Sequence, residues 1–307
     1  MRDVYFLVLP YVMSLDLTGP AEVLALSGAF RLHYCGPQEE VPTSTGMTIS
    51  QIGPLPEELP PGSIVVIPGV IDSRHQFDLA PALAAQAWLS RHRQAIHDQT
   101  WMLVCVCSGA LLAARAGLLD GYRCTSHHDV LARLREQAPA AQVKENRIFV
   151  EDRGIYTSAG ITAGIDLALY LVGQWVGAQQ AMSVAREMVV YFRRGGDDAQ
   201  LSPWLCHRNH LHPAVHRAQD ILSREPEAEW HLAQLASQVF MSSRHLTRLF
   251  REHLGISVRE YHEQLRLAVA QQRLQQGLGI EKSALAAGFS SSRQLRRAQQ
   301  RKQTQAG

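Results

Sequence analysis

Cys107 is the residue in this chain whose setting most suggests chemistry. It lies in WMLVCVCSGALLAARAGLLDG, where an apolar β-rich run gives way to an Ala/Leu-rich helical pattern. A strand-to-helix turn lifts a side chain to the carboxyl edge of a sheet. The backbone N–H groups of Ser108 and Gly109, and the positive end of the helix, would then lie beside the thiol. Both favour a thiolate and both can hold an anion, so this position predicts a depressed thiol pKa. Gly109 lets another segment approach closely. Cys105, in mid-strand, reads as a buried inert thiol.

The elements that position this turn follow from the pattern of apolar runs. Val4–Leu9, Ser63–Ile67 and Met102–Val106 are short continuous apolar segments bounded by Gly or Pro, as strands buried on both faces are. Helical segments alternate with them: 21–26 after a turn at Gly19-Pro20, then 79–97, 111–116 and 165–176. Alternation of this kind implies an α/β doubly wound sandwich. The five cysteines are odd in number in a chain of 307 residues, which implies reduced thiols rather than a disulfide framework. The N-terminal apolar run ends at Pro10 without a small-residue cleavage site, so it is not read as a signal peptide. The long uncharged stretch 167–185 contains three glutamines and two glycines and reads as a buried helix rather than a membrane span.

Four segments then carry a resemblance: LDLTGPAEVL (15–24), VCSGALLAARAGLLDG (106–121), RCTSHH (123–128) and TSAGITAGIDLAL (157–169). Together they resemble the class I glutamine amidotransferase-like superfamily of ThiJ/PfpI type, over about residues 1–190. The resemblance implies a flavodoxin-like sandwich, often dimeric, with the cysteine on its elbow. It places Glu22 as the acid that hydrogen-bonds the thiol. The proteases of that superfamily have His after the cysteine, where this chain has Ser108. Without an adjacent base, a Cys–His hydrolase is disfavoured. Asp16, Cys107 and Ser108 instead match the Asp, Cys and Thr of the isonitrile hydratase branch. Asp16, Glu22, Cys107, Ser108 and Gly109 are therefore the ligand-pocket candidates. His127 and His128 match a structural segment of the family, and no metal is assigned to them or to the adjacent Asp129. Nor is one assigned to the run Cys206–His212, which lacks a second pair at finger-like spacing. No cofactor is expected.

From Tyr191 to Pro213 the pattern breaks into Gly, Pro and mixed charges, and 191–213 reads as a linker. Beyond it every periodic segment is helical. Leu232, Leu235 and Ala236 share one face of a short helix, and a turn runs through Val239-Phe240-Met241. Ser242 then N-caps a second helix with Leu246, Leu249 and Phe250 inward. Ser243, Arg244, His245, Thr247, Arg248 and Arg251 are left on its outer side. This describes a helix-turn-helix whose second helix would enter the major groove. A second such unit begins near Ile280 and turns at Gly288-Phe289. Its outer helix carries Ser291, Ser292, Arg293, Arg296, Arg297, Arg301 and Lys302. The stretch resembles the AraC/XylS family through Leu235-Ala236, Met241-Ser242, Arg244, Leu246, Arg248, Phe250, Gly255, Tyr261, Arg266-Leu267, Ala270 and Leu274. Ser283, Leu295 and Gln299 depart from the family pattern, and the chain stops at Gly307 before that family's last helix. The second unit is thus expected to be degenerate or truncated.

Charge agrees with this division. Residues 1–200 carry 15 Lys+Arg against 20 Asp+Glu, and residues 201–307 carry 15 against 8. The overall net charge of +2 hides an acidic two-thirds and a basic third. The combination resembles bacterial regulators of the GlxA type: a sensing domain over 1–190 and a DNA-binding domain over 214–307. It implies a cytoplasmic homodimer that binds double-stranded operator DNA and a small effector, such as a nitrogen-containing metabolite, near Cys107. Such a protein is expected to activate transcription through RNA polymerase, without membrane contact. A cysteine-dependent hydratase or hydrolase, isonitrile hydratase-like, with a DNA-binding tail is the alternative.

Overall fold

The computed structural model describes residues 1–190, 194–197, 200, 207, 210 and 212–305. The side chains of Gln275 and of 302–305 are outside the description. The chain divides into two compact units, Met1–Gln200 and Leu201–Gly307.

The first unit is a six-stranded sheet in the order β2-β1-β5-β6-β10-β9, with β1 (Arg2–Leu7), β2 (Phe30–Cys35), β5 (Ile64–Ile67), β6 (Met102–Val106), β9 (Phe149–Asp152) and β10 (Ile155–Ser158). All neighbouring pairs are parallel except β9–β10, which closes one edge antiparallel. Two short pairs stand apart, β3 (Val41–Pro42) with β4 (Thr48–Ile49) and β7 (Arg123–Cys124) with β8 (Gln142–Val143). The helices are α1 (Ser14–Leu26), α2 (Ser73–Gln76), α3 (Ala80–Arg91), α4 (Arg93–His97), α5 (Gly109–Arg115), α6 (Leu131–Gln137), α7 (Thr162–Trp175) and α8 (Ala178–Glu187).

Successive strand residues feed opposite layers, as a pleat requires. Val66, Val104 and Val106 pack with Leu17 and Leu24 of α1 and Leu167 of α7. Val65, Leu103 and Cys105 pack with Trp88 of α3 and Leu111 of α5. Both faces are buried, which is why the strands read as unbroken apolar runs.

Three sequence expectations differ from the structure. Gly19-Pro20 is not a turn: α1 runs through both residues. A Cβ at Gly19 would stand 3.0 Å from Ile165 Cγ1, and one at Gly164 would stand 3.1 Å from Pro20 Cγ. The pair serves close helix–helix packing rather than chain reversal. The expected helix 79–97 is two helices, α3 and α4, parted at His92. The uncharged stretch 167–185 likewise divides between α7 and α8, and no described helix is long and apolar enough to cross a membrane.

Part of the expected linker packs on the first unit. Arg194 Nε and Nη2 donate to Oδ2 of buried Asp166 at 2.9 and 2.6 Å, and Gln200 Nε2 donates to the Ser126 carbonyl at 2.7 Å. Tyr191, Ser202-Pro203, Cys206, Arg208, Asn209 and Leu211 lie outside the described residues.

The second unit is helical: α9 (Pro213–Arg224), α10 (Leu232–Gln238), α11 (Ser243–Leu254), α12 (Val258–Gln275), α13 (Ile280–Ala286) and α14 (Ser292–Gln305). The pairs α10–α11 and α13–α14 are its helix-turn-helix elements, joined through α12. The first has a core of Leu235, Val239, Leu246, Phe250, Tyr261 and Leu265. The second is smaller, with Leu267, Phe289 and Leu295 among four alanines. Ser283, at a position where an apolar residue is usual, is fully buried and donates to the Leu278 carbonyl at 3.3 Å. Arg266 of α12 clamps the 226–228 segment, donating to the carbonyls of Pro226 at 3.0 Å and Ala228 at 2.8 Å.

Candidate functional site

Cys107 stands where β6 ends, at φ +55, and α5 starts two residues later. Its N–H donates to the Ser158 carbonyl at 3.1 Å, and its own carbonyl accepts from Ser126 Oγ at 2.6 Å. Three glycines make room for it. A Cβ at Gly109 would lie 2.1 Å from the Ile67 carbonyl oxygen, so only glycine lets α5 begin this close to β5. A Cβ at Gly160 would lie 2.1 Å from Cys107 Cβ. One at Gly69 would lie 2.6 Å from Asp16 Oδ2 and 2.9 Å from both Cys107 Cβ and Ser108 Oγ. The site thus collects the carboxyl ends of β5, β6 and β10 and the start of α1. It lies by the point where the strand order reverses, where open α/β sheets bind ligands.

Asp16 is fully buried on the first turn of α1. Its Oδ1 accepts the Ile161 N–H at 2.5 Å. Its Oδ2 is sealed from solvent and has no hydrogen bond of ordinary geometry. Burial pushes the carboxyl up to about 6, only partly offset by the Ile161 N–H, the Cys107 thiol and the Gly69 N–H.

The same pair overturns the expectation of an acidified thiol. Burial, and then the negative charge of Asp16, push Cys107 well above the ordinary thiol range, against the single favourable contribution of the Ser108 N–H. The seven-residue α5 cannot outweigh a buried carboxylate. Burial and the neighbouring carboxylate thus both favour the protonated thiol over the thiolate.

Two further candidates are placed differently from their sequence reading. Glu22 is not at the thiol. Six positions beyond Asp16, it falls about 240° further round α1. It is exposed, and its charge acts on Tyr34. Ser108 is buried beside Asp16 and Cys107, but its hydroxyl is engaged with the loop after β5. Oγ accepts from Val70 N–H at 2.9 Å and donates to the Val70 carbonyl at 3.2 Å. Ser108 therefore holds that loop in place.

Sequence reasoning missed Gly69, Gly160, Ser126 and Ile161. The glycine of TSAGIT and that of IVVIPG, each just past a strand end, were the available signals. Ile161 has φ +51, an outlier for a β-branched residue. With Cys107 and the nearby Tyr11 and Asp72, it gathers positive φ values around one site. Strain of about 1–3 kcal/mol per residue persists where the surrounding structure enforces it. Tyr11, Leu15, Ile71 and Ile161, from the segments that carry the site, expose between 38 and 39% of their surface. His127, His128 and Asp129 place one ligand atom each within 4.8 Å of one another, and the charge of Asp129 reaches Cys107.

In the helical unit the outer faces are as the spacing suggests. Arg244, His245, Arg248 and Arg251 are exposed on α11, with Ser243 and Thr247 half-buried. The Ser242 hydroxyl caps α11 by accepting the His245 N–H at 3.3 Å. On α14, Arg293, Arg296 and Arg297 are exposed, Ser292 is half-buried, and the Ser291 hydroxyl accepts the Gln294 N–H at 3.3 Å. Arg301 is not free on that face: it pairs with Glu263 of α12 at 2.8 Å.

Residues 2–174 match the DJ-1/PfpI family model, and residues 235–304 match a helix-turn-helix domain model. The chain belongs to the DJ-1/PfpI family. Its DJ-1/PfpI domain is followed by an AraC-type helix-turn-helix region. Among curated relatives, the HTH-type transcriptional regulator GbdR of Pseudomonas aeruginosa is 35% identical over 65% of this chain and 54% of its own length. The chain thus spans about half the length of that relative. The HTH-type transcriptional regulator CdhR of the same species is 29% identical over 94% of this chain and 85% of its own length. The isonitrile hydratase of Pseudomonas putida is 34% identical over 60% of this chain and 76% of its own length.

Proposed function

We propose that this chain is a transcription regulator, an activator, whose DJ-1-like domain binds a small effector and whose helical unit binds operator DNA. The observation that carries the reading is the presence of two helix-turn-helix elements in one helical unit, each with exposed arginines on its second helix. The similarity to CdhR across almost the whole chain supports it. Arg244 and Arg248 lie near the N-terminus of α11, where a recognition helix meets base edges. They read sequence, and Arg293, Arg296 and Arg297 hold phosphates.

The effector docks at Asp16 and Cys107. Asp16 is closed to solvent beside the half-buried Cys107 thiol, and a small molecule with an apolar body and an N–H or O–H group suits this negatively polarised centre. A nitrogen-containing metabolite fits that description. The protein works as a cytoplasmic homodimer, contacts RNA polymerase at its promoters, and changes arrangement because the effector favours one form over the other.

A second reading rests on Asp16 beside Cys107 together with the likeness to isonitrile hydratase. In that reading the site turns substrate over. A Cys107→Ala variant separates the two. The regulator reading expects no turnover of isonitriles or amides by the wild type, and effector-dependent promoter binding by the wild type that Cys107→Ala weakens. Turnover by the wild type that is lost in Cys107→Ala supports the hydratase and contradicts the regulator-only account.

A further inference from the structure

Phe240 is exposed over 92% of its surface, more than any other large apolar side chain among the described residues. It also has φ +59, in the left-handed region that opposes a bulky side chain. At the corresponding turn of the second helix-turn-helix, Gly288 holds the left-handed position at φ +78. The turn therefore needs a residue that accepts positive φ, and the first element has an aromatic ring there. Among the described residues nothing repays that choice, since 92% of the residue's surface is exposed. A strained, exposed aromatic of this kind points to a partner.

Its place in the fold selects the partner. Phe240 lies two residues before Ser242, the cap of α11, at the end of the recognition helix that enters the major groove. Arg244, His245 and Arg248 are exposed just beyond it. That basic surround favours a polyanion over a second basic copy of this unit. Apolar contact with the thymine methyl group is the way an apolar side chain reads the major groove.

We propose that the Phe240 ring packs against the 5-methyl group of one thymine per half-site, making Phe240 a specificity determinant of the first helix-turn-helix. The inference rests on the reading of the helical unit as DNA-binding.

The test uses the full chain. A preferred duplex is selected from a random library, and each thymine is replaced in turn by deoxyuridine, which lacks only the methyl group. The wild type is expected to lose about fourfold in affinity at one thymine per half-site, the worth of one buried methyl group. Phe240→Asn is expected to bind the unaltered duplex at least fourfold more weakly and to be indifferent to that replacement. It should melt no lower than the wild type, because Asn accepts positive φ. Phe240→Tyr, which keeps the ring, should keep the thymine dependence. Phe240→Gly, the residue the second turn already accommodates, checks the result for Asn. Equal binding by wild type, Asn and Gly variants, or equal deoxyuridine sensitivity in all of them, overturns this inference alone. Selection of no preferred duplex by the wild type overturns the DNA-binding reading as well.

Discussion

In the α/β unit the polar groups that define the site are buried and constrained. Asp16 is closed to solvent, Ser108 is tied to Val70, and three glycines press the Cys107 elbow against its neighbours. In the helical unit the reverse holds. Arg244, Arg248, Arg293, Arg296 and Arg297 stand in water on helices whose cores are apolar. A small neutral molecule gains most from a dry, preorganised acceptor, where each hydrogen bond is strong. A polyanion gains most from exposed cations that release its counterions. The difference between the halves is thus a difference between the ligands they suit.

The comparison can be broken from either side, and the largest effect is expected on the exposed side. Replacing Arg293, Arg296 and Arg297 together with Ala should weaken binding to all duplexes roughly a hundredfold or more at ~0.1 M salt. It should lower the salt slope by roughly 3. Titrations at several salt concentrations measure both. A changed base preference at one half-site with the slope intact would show that these arginines read bases instead.

On the buried side, Asp16 has a pKa raised above the ordinary value of 3.8 to about 6. The sign follows from linkage. Folding binds the proton more tightly than the unfolded chain does, so this stability is present below about pH 4 and is lost as pH rises through about 6. Asp16→Asn has no such loss. Relative to the wild type it should gain about 3 kcal/mol between pH ~4 and ~7, measured by denaturant unfolding. The variant should also let Cys107 ionise at lower pH, read as faster alkylation at a given pH. Parallel stability curves for the two proteins would mean that Asp16 is hydrated.

Two smaller effects sharpen the contrast within the helical unit. Arg244→Ala should cost about 1–3 kcal/mol on the preferred duplex and relax the choice of base at one position. Arg266→Ala should act differently, because its guanidinium is spent on the Pro226 and Ala228 carbonyls. It should lower stability by about 2 kcal/mol and leave base preference unchanged. A loss of base preference in Arg266→Ala with stability intact would move that residue to the interface.

The sequence made some of this legible and hid the rest for physical reasons. β6 was read at its true bounds and β5 within one residue, because strands buried on both faces are apolar throughout. β10 escaped because Tyr156, Thr157 and Ser158 look polar. All three are buried, with Thr157 accepting the Thr125 N–H at 2.8 Å. Gly19-Pro20 looked like a turn because the packing of α1 on α7 is invisible along one chain segment. The local pattern marks Cys107 but not its protonation, because the helix end is local and Asp16 is remote in sequence. Glu22 and Asp16 lie six positions apart in the sequence, and only the helix geometry shows which faces the thiol. On α11 and α14 the exposed arginines were legible because amphipathic spacing sorts them directly. Arg301 was not, since its partner Glu263 lies on another helix.

The central claim is that this chain finds particular DNA sites through its helical unit. Genome-wide mapping of bound DNA in cells, for the wild type and Arg244→Ala, tests it most directly. Discrete wild-type sites sharing one paired motif are expected, with that motif relaxed at one position in the variant. Uniform coverage without a shared motif, identical in the two proteins, would contradict it.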